Sequence, residues 1–144
     1  MSQAPVLSSS TTAASRHVEP APFVCTWKTG GSGAAWVHVA GELDLVTAPR
    51  LKQAVHDAQL YARVVVLDLR ELTFMDSSGV HVILDAARAA RQASGRLILV
   101  RGPAHIGRLL ALTDVPSEVL IVDLHTGEAP ARALLHLGQR RAAA

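Results

Sequence analysis

The sequence predicts an α/β domain built on a mixed β-sheet, and three observations lead there. Between Phe23 and Leu137, strand-like apolar runs alternate with stretches of helical spacing. The runs Val64–Leu69 and Leu97–Val100 are almost continuously apolar, as strands covered on both faces and paired in parallel tend to be. The first two runs, in contrast, are divided by a glycine-rich turn that suits an antiparallel hairpin.

Taken in order, Phe23–Lys28 and Ala35–Ala40 are rich in aromatic and β-branched residues, with Thr29-Gly30-Gly31-Ser32-Gly33 between them. After Gly41-Glu42-Leu43-Asp44, the stretch Thr47–Ala62 places Ala48, Leu51, Ala54, Val55 and Ala58 on one helical stripe. Its Pro49 falls in the first turn, where a missing N–H costs little. Val64–Leu69 is a strand, and Ser78–Ala93 a helix carrying Val80, Ile83, Leu84, Ala87 and Ala90 inward, stopped at Gly95. Leu97–Val100 is a strand, Pro103–Leu112 a short helix using Ile106, Leu109 and Leu110, Val119–Leu124 a last strand, and Glu128–Leu137 a final helix. Such strand–helix–strand units join parallel strands by right-handed crossovers.

The 144 residues divide into an arm, a domain and a tail. Ser, Thr, Ala and Pro occupy 14 of the first 22 positions, a composition that buries too little apolar surface to offset ordering entropy and predicts a disordered arm. No basic leader precedes a continuous apolar stretch there, so the arm does not read as a secretory signal. Residues 23–137 form the domain, and 138–144 a flexible tail with Arg140 and Arg141. The single Cys25 excludes an internal disulfide and fits a reducing, cytoplasmic setting. Apolar runs of four residues, such as Val119–Val122, are far too short to cross a membrane as a helix. The formal net charge of +2 comes from the tail, because residues 23–137 hold 11 basic and 11 acidic side chains. Neither nucleic acid nor an anionic membrane is expected as a partner.

The segment that can carry chemistry is Leu72-Thr73-Phe74-Met75-Asp76-Ser77-Ser78-Gly79-Val80, where a buried strand turns into a helix. Asp76, Ser77 or Ser78 can cap that helix by accepting from a free backbone N–H. A helix start also suits an anion, so a serine there is well placed to carry a phosphate. The two readings are compatible.

Gly41-Glu42-Leu43-Asp44 followed by Phe74-Met75-Asp76-Ser77-Ser78-Gly79 resembles the anti-sigma factor antagonist group of STAS domains, and the spacing and element order from Val37 to Leu137 agree. The resemblance implies a single domain with helices mainly on one face of a mixed sheet. It implies that Ser77 is phosphorylated by a cognate anti-sigma factor, a serine kinase that brings its own nucleotide and magnesium, and that a serine phosphatase resets it. The unmodified form would bind the anti-sigma factor and free its sigma factor; the phosphorylated form would not. Glu42, Asp44, Asp76, Ser78 and Gly79 would shape and line the docking surface, with His81 beside them. No catalytic residue, metal or cofactor of the chain's own is implied, and a monomer or weak dimer is expected. His81 departs from the family's pattern, in which a small residue is common; an imidazole there can pair with a phosphate or a carboxylate. The alternative within the same fold is a scaffold or sensor subunit of a larger signalling assembly, or a small-ligand-binding module.

Other constellations read more plainly. Ser77, His81 and Asp85 recur at four-residue steps and imitate a hydroxyl, base and carboxylate, but nothing supplies an oxyanion site or a pocket, and they read as a solvated helix face continued by Arg88 and Gln92. The arginines at 88, 91, 96, 101 and 108 lack interleaved aromatics and suit a solvated surface. The remaining histidines lack metal-ligand spacing, and His38 reads as a structural strand residue. Trp27 and Trp36, on the two hairpin strands, are candidates for a cross-strand pair.

Overall fold

The computed structural model describes residues 22–30 and 33–136. The expected arm up to residue 21, the expected tail 138–144 and turn residues 31 and 32 lie outside the described residues. Five strands form one sheet in the order β1-β2-β3-β4-β5: β1 (Val24–Thr29), β2 (Ala34–Leu43), β3 (Val64–Met75), β4 (Arg96–Val100) and β5 (Leu120–Val122). The pair β1·β2 is antiparallel and the other three pairs are parallel, which gives the mixed α/β sheet that the alternation predicts. Between the strands lie α1 (Ala48–Tyr61), α2 (Ser77–Gln92), α3 (Ala104–Ala111) and the four-residue α4 (Val115–Glu118).

Helices α1 to α4 pack on the same face. Ala35, Val37, Val39, Val65, Leu67, Leu69, Leu97 and Leu99 of the strands meet Leu51 and Val55 of α1, Ile83 and Ala87 of α2, Ile106 and Leu110 of α3, and Val115 of α4 in one buried cluster. The alternate strand residues Val66, Ile98, Val100 and Val122 face the other way. They are covered by the chain after β5, a 3₁₀ turn at Pro130–Arg132 followed by helix at 133–136, through Ala133 and Leu134. The side-chain period of two along a strand explains how one unbroken apolar run serves both layers.

Several boundaries differ from those read in the sequence. The strand expected at Val64–Leu69 runs on to Met75 because β2 also continues to Leu43 and supplies a partner along that length. The last strand is shorter than Val119–Leu124, and the one-turn α4 before it starts at Val115-Pro116 after its N-cap Asp114, with a proline in the helix start. The final helix begins after Pro130 instead of at Glu128. Trp27 and Trp36 do not pair: Trp27 lies opposite Val37 and Trp36 opposite Lys28, so their side chains leave opposite faces. Trp27 instead stacks on Tyr61 of α1 at 5.6 Å, while Trp36 packs on the second face. Cys25 is half-buried beside the helical layer, and burial pushes its thiol up.

Candidate functional site

The two sequence motifs meet because β2 and β3 run parallel and end together, with Glu42 opposite Phe74 and Leu43 opposite Met75. The link is direct, since the Asp76 N–H donates to the Leu43 carbonyl at 3.1 Å. Gly41 sits at a register shift with φ +94°, and a Cβ there would meet the Pro22 carbonyl and the Phe23 backbone at about 3 Å. Glycine relieves both demands.

Asp76 is the N-cap of α2: its side chain accepts from the Ser78 N–H at 2.8 Å, and its carbonyl from the N–H groups of Gly79 and Val80 at 3.1 and 3.4 Å. Of the three capping candidates, then, the aspartate caps. Ser77, the first helical residue, is exposed, and its hydroxyl has no hydrogen-bond partner among the described residues. Ser78 is half-buried. A Cβ on Gly79 would fall 2.7 Å from Leu43 Cδ2 and 2.8 Å from Met75 Cγ, so only glycine lets the first turn of α2 sit on the ends of both strands. His81, one turn after Ser77, is exposed.

Glu42 is exposed, whereas Asp44 turns inward on its own loop. Asp44 Oδ1 accepts from the N–H groups of Val46 and Thr47 at 3.0 and 3.1 Å. The Thr47 N–H and hydroxyl, with further backbone donors, hold its carboxyl below the usual carboxylate range. The Thr47 hydroxyl donates to the Glu42 carbonyl at 2.8 Å and accepts from the Asp44 N–H at 2.9 Å. Asp44 therefore shapes the loop, while Glu42 presents a free face.

That loop displays two residues which the sequence reading did not single out, Leu45 at 76% exposed and Val46 at 82%; Phe74, in the motif at the end of β3 and opposite Glu42, is 44% exposed. Their sequence signal is ambiguous, because an apolar residue next to a strand reads as its continuation. His105 of α3 reaches the same end of β3, with Nε2 2.7 Å from the Thr73 carbonyl.

The stripe Ser77, His81, Asp85 does not assemble as hydroxyl, base and carboxylate, because Asp85 pairs with Arg88 at 3.2 Å. Grooves of about 530 and 560 Å³ lie along β5 and beside Arg70, away from Ser77. Among the described residues no cluster of three or more His, Cys, Asp or Glu is placed to hold a metal, and no helix is long and apolar enough to cross a membrane.

Fold and site define a single mixed-sheet α/β domain that presents a serine at a helix start, on an apolar and acidic rim, instead of enclosing it in a cavity. The STAS domain pattern matches residues 28–129. The chain belongs to the STAS domain family, in its group of anti-sigma factor antagonists. It is 33% identical over 93 residues to the anti-sigma-B factor antagonist of Listeria monocytogenes, across 64% of this chain and 81% of that protein. An anti-sigma factor antagonist from Mycobacterium paratuberculosis superposes with a TM-score of 0.67 at 25% identity, covering 81% of this chain and 95% of the other. The Bacillus cell fate determinant SpoIIAA, solved in its phosphorylated form, shares the fold with a TM-score of 0.60 at 22% identity, over 76% and 98% of the two chains.

Proposed function

We propose that this chain is a cytoplasmic anti-sigma factor antagonist, without catalytic activity of its own, whose docking is switched off by phosphorylation of Ser77. The observation that carries the reading is the exposed Ser77 hydroxyl at the first position of α2, without a hydrogen-bond partner among the described residues, near Leu45, Val46 and Phe74 and the carboxylates of Glu42 and Asp76. Exposed apolar side chains at the rim favour a protein partner. A phosphate adds about −1.5 to −2 charges at neutral pH. Placed among those carboxylates, it must be desolvated or matched whenever a partner closes over the rim, and like charge within an interface is costly. The unmodified form therefore binds and the modified form is released.

The partner this fits is a kinase-type anti-sigma factor that brings ATP and magnesium and leaves its sigma factor when the antagonist binds; a serine phosphatase restores the hydroxyl. Docking needs one rim, so a monomer or weak dimer suffices. Incubation with ATP and the cognate kinase is expected to add one phosphate, mapped by mass spectrometry to Ser77. Ser77→Asp is expected to weaken binding on the order of a hundredfold while circular dichroism shows the fold kept, since Ser77 is exposed. Labelling confined to Ser78, or a Ser77→Asp variant that binds as tightly as the unmodified chain, would refute the switch.

A further inference from the structure

Ser77 and His81 stand one turn apart on the exposed face of α2, and neither side chain has a hydrogen-bond or ion-pair partner among the described residues. We propose that His81 pairs with a phosphate carried by Ser77, as an internal cation that sets the charge the modified helix presents to its partners. The inference rests on the modification of Ser77 proposed above.

Helix N–H groups are the usual receivers of a phosphate at such a position. Most are taken here: the Ser78 N–H goes to the Asp76 side chain and those of Gly79 and Val80 to the Asp76 carbonyl, which leaves the Ser77 N–H alone among the first-turn donors. One neutral donor does not balance a phosphate, so a compensating charge must come from a side chain. Helical Cα–Cβ bonds tilt toward the N-terminus, so His81 leans toward Ser77. Residues four apart have Cβ atoms about 5–6 Å from each other, within the combined reach of a phosphoserine and an imidazole.

The other charged groups around α2 do not compete well. Further along the helix, Arg88 is tied to Asp85 at 3.2 Å and Arg91 to Glu118 of α4 at 2.7 Å. On α1, Arg50 lies over the Phe23 ring and Asp57 accepts from Gln53, leaving Lys52 and His56. The Gln59 side chain donates to the Ala86 carbonyl and ties α1 to α2; Lys52 and His56 are exposed on α1, a different element from the one that carries Ser77 and His81. Asp114 stands at the start of α4, against the far half of α2. Strands β3 and β4 present apolar side chains to α2. His81 is the titrating group nearest a Ser77 phosphate along its own face.

Pairing of this kind moves both partners: the imidazole midpoint rises and the second phosphate midpoint, ordinarily near 6, falls, the two belonging to the pair. The modified rim then carries one negative charge fewer below the His81 midpoint than above it, so release of the partner strengthens as pH rises through that value. The test uses the full chain with phosphoserine inserted at position 77 during translation, which makes it independent of any kinase. The His81 midpoint, followed by NMR, is expected about one pH unit higher than in the unmodified chain, with His56 and His105 moved much less. The phosphorus resonance should titrate at higher pH in His81→Gln than in the parent. An unmoved His81, an equal shift of all three histidines, or a phosphate midpoint indifferent to His81→Gln overturns the pairing and leaves the Ser77 switch standing. Failure of the kinase to label Ser77, by contrast, counts against the switch alone.

Discussion

The Asp44 carboxylate gathers the N–H groups of Val46 and Thr47 within about 3 Å, so the loop that displays Leu45 and Val46 is built around an ionised group. With its folded-state titration lowered from the ordinary 3.8, Asp44 adds stability that is fully present above that ordinary value. The contribution is lost as pH falls through the lower folded value. The stability difference between the parent and Asp44→Ala should therefore be constant from pH 5 to 7 and shrink below about pH 4, as measured by urea unfolding across that range. A gap that widens in acid would show that the loop is not held by the carboxylate. At this scale the sequence was partly legible. A capped helix start with a serine at it follows from an acidic residue and two serines at a strand-to-helix junction, but which of Asp76, Ser77 and Ser78 caps does not. The inward turn of Asp44 does not, because it depends on Thr47 three residues on, and the exposure of Leu45, Val46 and Phe74 depends on where the strands stop.

The seating of α2 on the sheet belongs to the element scale. Its inward residues Val80, Ile83, Ala87 and Ala90 recur at helical spacing, which is why the helix was legible within one residue at each end. Its position against β2 and β3 is set by Gly79, which lies against the buried side chains of Leu43 and Met75. Gly79→Ala would force a methyl group into that contact, and overpacking of this kind costs about 1–3 kcal/mol. Thermal or urea unfolding should show a loss in that range, although alanine is the better helix former. An unchanged or increased stability would mean that α2 can shift outward freely. The extension of β3 from Leu69 to Met75 was not legible, because Arg70-Glu71-Leu72-Thr73-Phe74 breaks the apolar run and β2 supplies the missing partner. Pairing across strands overrides local pattern there.

For the whole molecule, the sheet must be covered on both faces, and one arginine ties the second cover to β3 beside its apolar contacts. The Arg70 guanidinium forks onto Asp68, with Nε 3.0 Å from Oδ1 and Nη2 2.8 Å from Oδ2. It also donates to the carbonyls of His125 and Glu128 at 2.8 Å each. Asp68 is 5% exposed and is the one buried charged residue among those described. It lies in a run that reads as plainly apolar, so its partner was not legible from a sequence whose domain balances 11 positive against 11 negative residues. Removing one member of a buried pair leaves the other charge unmatched, at about 3–5 kcal/mol; the partial exposure of Arg70 places this pair toward the lower value. Arg70→Met should thus lose about 3 kcal/mol in urea unfolding and raise amide exchange across β5 and residues 130–136, while leaving the Ser77 rim on the opposite side of β3 intact for partner binding. The double variant Arg70→Met with Asp68→Leu should recover much of that loss, since the uncompensated carboxylate is gone. Losses that simply add in the double variant would show that the two side chains act independently, and that the C-terminal segment is held on the sheet by its apolar contacts alone.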